Sequence, residues 1–228
     1  MEKINILAID TSGKVSTVAI LSNGKLLGEL SVASNMTHSQ TIMPAIVTLL
    51  DTCGMDKRDL ELISCVTGPG SFTGLRIGAS VAKGLAFALN LQIVPISALD
   101  ALAYNALQNS GLTVPIMDAR RGQVYTAIYD KDFECVLQPT VCEIGEVLDR
   151  IQSPAVFLGD GVEVYKDAIL TAGHKIAGTH QILQRAVACG VLAHKNQHTA
   201  INPADLELTY IRQSQAEREK NTRTNQEA

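Results

Sequence analysis

Apolar and polar positions alternate along this chain in short, sharply punctuated runs. Ile4–Asp10 (INILAID) is an apolar run of β-formers that ends on an acid, and Thr11-Ser12-Gly13-Lys14 supplies turn residues. Ser16–Leu21 reads as a second strand, Asn23-Gly24 as a tight hairpin, and Lys25–Ser31 as a third strand. Thr37 is placed to cap a helix from His38 to about Asp51. Leu62–Thr67 is a buried strand, followed by the loop Gly68-Pro69-Gly70-Ser71-Phe72-Thr73-Gly74 and a long helix to about Leu89. Gln92–Ile96 is a strand, and Ser97 caps a helix ending near Gln108. The order is β-β-β-α-β-α-β-α.

The second half repeats that order. Thr113–Asp118 again ends on an acid, followed by strands at Gln123–Tyr129 and Phe133–Cys142 and a helix at Ile144–Ile151. Then come a strand at Ala155–Leu158, a helix at Val162–Leu170, a short strand at Lys175–Ala177 and a helix at Gln181–His194. Laid over each other without a gap, Asp10 falls on Asp118, Ala19 on Ala127 and Ile20 on Ile128, so the chain reads as an internal duplication. The units expected are residues 1–108 and 109–212, with a polar, charged tail at 213–228 that is expected to be disordered.

Two helices carry too little polar surface. Ile42, Met43, Ala45, Ile46, Val47, Leu49 and Leu50 are interrupted only by Thr48, and Leu75, Ile77, Val81, Leu85, Phe87 and Leu89 are interleaved with small residues. Gly74, Gly78, Ala82 and Ala86 recur every fourth position and form one smooth stripe. A sheet covers one side of such helices, so the other side meets either a partner or another part of this chain.

Composition narrows the function classes. Hydrophobic residues are 46%, charged residues 18% and aromatics 4%, there is no Trp, and the formal net charge is −4. Few aromatics and an acidic balance disfavour a chain that grips RNA by itself. Five cysteines without a C-x-x-C spacing point to buried thiols rather than disulfides or a zinc site. The start, Met1-Glu2-Lys3-Ile4, has no signal-peptide pattern, and no apolar run approaches the ~20 residues that span a bilayer. A cytoplasmic protein without membrane contact is expected.

The candidate chemistry is sparse. The loop Gly68–Gly74 lacks the Gly-Lys-Ser/Thr of a P-loop, and Pro69 stands where a G-x-S-x-G elbow needs glycine. It is either a structural turn or a place for an anion or partner. Asp10-Thr11-Ser12 has the form with which sugar kinases and actin-like ATPases hold phosphates. Its counterpart Asp118 is followed by Ala119-Arg120-Arg121, whose bulk disfavours a working ATPase cleft. Asp10, Thr11, Ser12 and Asp118 are therefore expected to form a degenerate phosphate site. His194 and His198 have i, i+4 spacing but no evident third ligand, and His38, His174 and His180 have no assigned partner.

The runs Asp10-Thr11-Ser12, Thr37-His38-Ser39-Gln40 with Pro44, Gly68–Arg76 (GPGSFTGLR), Asp118–Gly122 with Tyr125, and Gly159-Asp160-Gly161 closely resemble the bacterial TsaB (YeaZ) family. The resemblance runs from about Ile4 to Arg212. It implies the α/β fold of actin, Hsp70 and sugar kinases, two ribonuclease-H-like lobes with mixed five-stranded-type sheets. It implies a non-catalytic subunit in the transfer of a threonylcarbamoyl group to adenosine 37 of tRNAs that read ANN codons. The partners so implied are the paralogue TsaD, which performs the transfer, the ATPase TsaE, and tRNA only through the complex. ATP and metal are then expected on partner subunits, and the chain alone is expected to form a homodimer. The family pairs through its N-lobe helices, which here would engage His38, Ile42, Met43, Ile46, Leu50, Gly74, Leu75, Gly78, Ala79, Ala82, Lys83, Ala86 and Phe87. TsaD-like proteins carry a His-x-x-x-His metal motif after the strand corresponding to Gln92–Ile96, where this chain has Ser97-Ala98-Leu99-Asp100-Ala101-Leu102. A metallopeptidase and a weak ATPase are the alternatives.

Overall fold

The computed structural model describes residues 4–107 and 110–211. In the first half, β1 (Asn5–Asp10), β2 (Ser16–Ser22) and β3 (Lys25–Val32) form an antiparallel meander. α1 (His38–Thr52), β4 (Leu62–Gly68), α2 (Phe72–Leu89), β5 (Gln92–Ser97) and α3 (Ala98–Tyr104) follow. The second half runs β6 (Leu112–Arg120), β7 (Gln123–Tyr129), β8 (Cys135–Glu143), α4 (Ile144–Asp149), β9 (Ala155–Leu158), α5 (Gly161–Thr171), β10 (Lys175–Ile176), α6 (Thr179–Ile182) and α7 (Ala186–Lys195). The sheet orders are β3-β2-β1-β4-β5 and β10-β9-β6-β7-β8. In each, three antiparallel strands continue into parallel ones. This is the duplicated architecture read from the sequence, and the overlaid pairs share faces. Ala19 and Ala127 both enter one central apolar cluster, while Ile20 and Ile128 enter the separate outer clusters of their own lobes.

That central cluster joins the lobes. It takes Ile6, Ala8 and Val66 from the first sheet, Met117, Ala127 and Leu158 from the second, and buried residues of α3 and α7. α7, although it comes from the second half, lies on β1 and β2. Beyond it the chain crosses back over the first lobe. Ile201 pairs with Ile93, Leu206 is buried in the first lobe's outer core, and the Thr209 N–H bonds the Thr67 carbonyl.

Several boundaries differ from the sequence reading. The helix expected to reach Gln108 ends at Tyr104. The strand expected from Phe133 starts at Cys135, because Phe133 has a left-handed backbone and stacks on Tyr129. The helix expected at Gln181–His194 is two helices, α6 and α7, separated by extended residues at Leu183 and Arg185. Tertiary contacts impose this break. The Val187 N–H donates to Glu29 Oε1 at 3.0 Å, and the Ala186 N–H to Thr17 Oγ1 at 3.3 Å, so side chains of the first lobe cap α7. α2, 18 residues long, is apolar enough by length and composition alone to cross a membrane, yet it packs along one face on β4 and β1 as a core helix does. The expected tail, 213–228, lies outside the described residues.

Candidate functional site

The end of β1 is wired into its own turn. Asp10 Oδ1 accepts hydrogen bonds from the Ser12 N–H at 2.8 Å and the Ser12 hydroxyl at 2.7 Å. Asp10 is 1% exposed, its Oδ2 has no partner, and burial pushes its pKa up from the ordinary carboxylate value. The Thr11–Gly13 segment is then held by three elements. Thr11 Oγ1 donates to the Gly74 carbonyl at 2.8 Å, the Ser71 N–H donates to the Ser12 carbonyl at 2.7 Å, and His38 Nε2 donates to the Gly13 carbonyl at 2.9 Å. Gly70, at φ +155°, lets the loop come against the Ser12 carbonyl. The loop Gly68–Gly74 therefore clamps the hairpin, the structural role weighed for it from sequence.

The counterpart on the second lobe uses the same turn. Asp118 Oδ1 accepts from the Arg120 N–H at 2.7 Å, and the Asp118 N–H donates to Asp160 Oδ1 at 3.1 Å. Here the environment differs, because Asp118 is exposed whereas Asp10 is enclosed. Arg120 and Arg121, whose bulk disfavours a working ATPase cleft, are both exposed and line a cavity of about 520 Å³ between the lobes. Ser12, Lys14, Ser71, Phe72, Tyr125, Asp160 and Tyr210 line it as well, and Asp10 does not. Lys14 bridges the lobes to Glu163 at 3.0 Å, a partner that raises its pKa. Asp160, Lys14 and Tyr210 had been given no role. Gly159-Asp160-Gly161, a turn after an apolar strand as at Asp10, was the available signal for the first.

The other candidates separate. α7 ends at Lys195, so His194 and His198 do not share a helix. His194 packs against Gly24, His198 is exposed, and His174 is buried beside Phe157. Among the described residues no three of His, Cys, Asp and Glu come together as metal ligands. All five cysteines are free, and burial pushes the Cys65 thiol up to about 12, which keeps it unreactive.

The expected interface residues divide sharply. Ile42, Ile46, Leu50, Gly74, Leu75, Gly78, Ala79, Ala82 and Ala86 are buried in this chain's own core and cannot be the contact surface as it stands. The small-residue stripe faces inward. A side chain at Gly74 would overlap the Thr11 carbonyl, and one at Gly78 would overlap the Thr11 hydroxyl, so the close approach made possible is to β1 and its turn, not to a second helix. What remains outside is Met43 (39% exposed) and Val47 (52%) on α1 and Phe87 (61%) on α2, with His38 and Lys83 half-buried.

Residues 31–220 match the family model described as TsaD: tRNA N6-adenosine threonylcarbamoyltransferase. The tRNA threonylcarbamoyladenosine biosynthesis protein TsaB of Bacillus subtilis is 34% identical over 212 residues, covering 91% of this chain and 86% of that one. Its namesake from Escherichia coli is 30% identical over 229 residues, covering 93% and 96%. The solved structure of YeaZ from Pseudomonas aeruginosa superposes with a TM-score of 0.76 at 24% identity, covering 91% of this chain and 99% of that one, a likeness of fold.

Proposed function

The chain belongs to the TsaB (YeaZ) family and takes part in tRNA threonylcarbamoyladenosine biosynthesis, and within that process we propose that it is a non-catalytic scaffold. It binds the paralogue TsaD through the outer faces of α1 and α2, and the pair receives the ATPase TsaE. The tRNA is met only through the assembled complex, and ATP and metal are held by the partner subunits. Alone, the chain pairs with a second copy through the same faces.

The observation that carries this reading is the state of Asp10. A carboxylate that serves a phosphoryl-transfer site must reach the cleft, to hold a metal ion or a water. Asp10 is enclosed, bonded to Ser12 and absent from the cavity wall. The fold keeps the lobes and the cleft, while its first-lobe carboxylate is turned to structure. Exposed Met43, Val47 and Phe87 supply an apolar outer face of the kind that a partner covers. Reconstitution of the tRNA modification from TsaD, TsaE and threonylcarbamoyl donor, with and without this chain, tests the role. Full activity without the chain overturns it, and so does threonylcarbamoyl transfer by the chain without TsaD.

A further inference from the structure

Three buried polar atoms where the lobes meet have no hydrogen-bond partner among the described residues: Asp10 Oδ2, Gln184 Nε2 and Gln184 Oε1. Asp10 is 1% exposed and Gln184 2%. An unpaired buried carboxyl or carboxamide is costly, so folded proteins satisfy such atoms with protein groups or with enclosed water.

The two side chains come from distant parts of the chain and converge on one turn. Gln184 packs its carboxamide on Gly13, where an added Cβ would lie 2.3 Å from Nε2 and 2.5 Å from Oε1. Two residues after Gln184, the Ala186 N–H donates to Thr17 Oγ1 at 3.3 Å. Thr17 is the cross-strand partner of Asp10, so both side chains leave the same face of the first sheet. Cys189 of α7 lies near them as well, since its thiol pKa is raised chiefly by burial and further by Asp10. The start of α7 therefore covers Asp10, and Gln184 leads into it.

This place is not the cleft. Ser12 and Gly13 line the cleft, whereas Asp10 and Gln184 do not. Asp10 Oδ1 is taken by Ser12, which leaves Oδ2. Burial favours the protonated carboxyl and so an O–H donor, and Gln184 offers both a donor and an acceptor. A cation there would need the ionised carboxylate that burial disfavours. Water needs no compensating charge, and it can accept from one side chain and donate to the other.

We propose that Asp10 Oδ2 and the Gln184 carboxamide are joined through enclosed water, a latch that fastens the linker ahead of α7 to the hairpin turn of the first lobe. With His38 on the Gly13 carbonyl and Lys14 paired to Glu163, the latch fixes this turn against both lobes. It stands apart from the scaffold role, and its test uses the full chain alone.

A high-resolution crystal structure should show ordered water within about 2.7–3.2 Å of both Asp10 Oδ2 and a Gln184 amide atom. Urea unfolding gives the energetic test, and its sign is decisive. With the latch, Gln184→Met strands the Asp10 carboxyl and should raise the unfolding constant at least about tenfold. Asp10→Asn keeps a donor at that position, so Gln184→Met should cost as much there as in wild type. Asp10→Ala removes the partner, and in that background the cost should shrink. Without the latch, Gln184→Met removes two orphaned polar atoms and stabilises the chain. Stabilisation by Gln184→Met, an undiminished cost in the Asp10→Ala background, or crystal density without that water overturns the proposal. The crystal structure decides where a variant does not fold.

Discussion

Asp10 accepts both the backbone N–H and the hydroxyl of Ser12, two residues on, and gives no atom to the cleft. Burial raises its pKa, so the folded chain holds this proton more tightly than the unfolded chain does. The associated stability is fully present below the unfolded carboxylate's titration and is lost as pH rises through the higher folded value. Asp10→Asn keeps the acceptor for Ser12 and removes the ionisation. Urea unfolding from about pH 4 to pH 8 should show a smaller decline for the variant than for wild type. Parallel curves would mean that Asp10 does not titrate in the folded chain as its burial requires.

The glycines of α2 should respond in opposite directions. A Cβ at Gly74 meets the Thr11 carbonyl, a backbone atom that cannot step aside, whereas a Cβ at Gly84 meets nothing within 4 Å. Gly74→Ala should cost about 2 kcal/mol or more through overpacking. Gly84→Ala should stabilise by about 0.5–1 kcal/mol through helix propensity. Thermal and urea unfolding of the two variants reads both signs, and a neutral Gly74→Ala would show that the clamp on the hairpin has slack.

What could be read in the sequence followed the range of the interactions. Strands and hairpins rest on alternation and local turn residues, so Asn23-Gly24, with both φ values positive, was legible, and so was the repeat of β-strands in the second half. The stripe Gly74-Gly78-Ala82-Ala86 announced a close approach but not what approaches, because a small surface fits a strand as well as a helix. The break at Leu183–Arg185 was invisible, since the groups that cap α7 are Thr17 and Glu29, far away in the chain. Burial of Asp10 was equally hidden, because its motif is spelled as in a phosphate site and its burial arises from packing between elements distant in the chain.

Glu29 ties the lobes at that break. It accepts from the Val187 N–H at 3.0 Å and pairs with Arg185 at 2.5 Å. The Glu29 side chain is 9% exposed and that of Arg185 41%, so solvent screens part of the ion pair and the α7 cap carries much of the effect. Glu29→Ala should destabilise by about 2 kcal/mol, and Glu29→Gln, which keeps an acceptor for Val187, by less. Hydrogen exchange at Val187 should accelerate in the alanine variant and stay slower in the glutamine variant. Equal exchange in both would remove the cap from the account.

The partner-facing side of α1 and α2 is open to a test that separates contact from folding. Met43 and Val47 lie one helical turn apart on the outer side of α1, and Phe87 lies outside near the end of α2. Aspartate at these sites replaces solvent-facing apolar surface, so the isolated chain should unfold within about 0.5 kcal/mol of wild type. A partner burying that surface would instead meet an unpaired charge, and Val47→Asp with Phe87→Asp should weaken TsaD capture by at least about tenfold. Ala82→Arg or Ala86→Arg cannot serve as this probe. Both alanines are fully buried against the chain's own sheet, so arginine there should unfold the lobe, and lost capture would follow from lost structure. Capture of TsaD at wild-type strength by a folded Val47→Asp/Phe87→Asp chain would move the contact off these helices. Normal folding of Ala82→Arg would contradict the inward direction of the stripe.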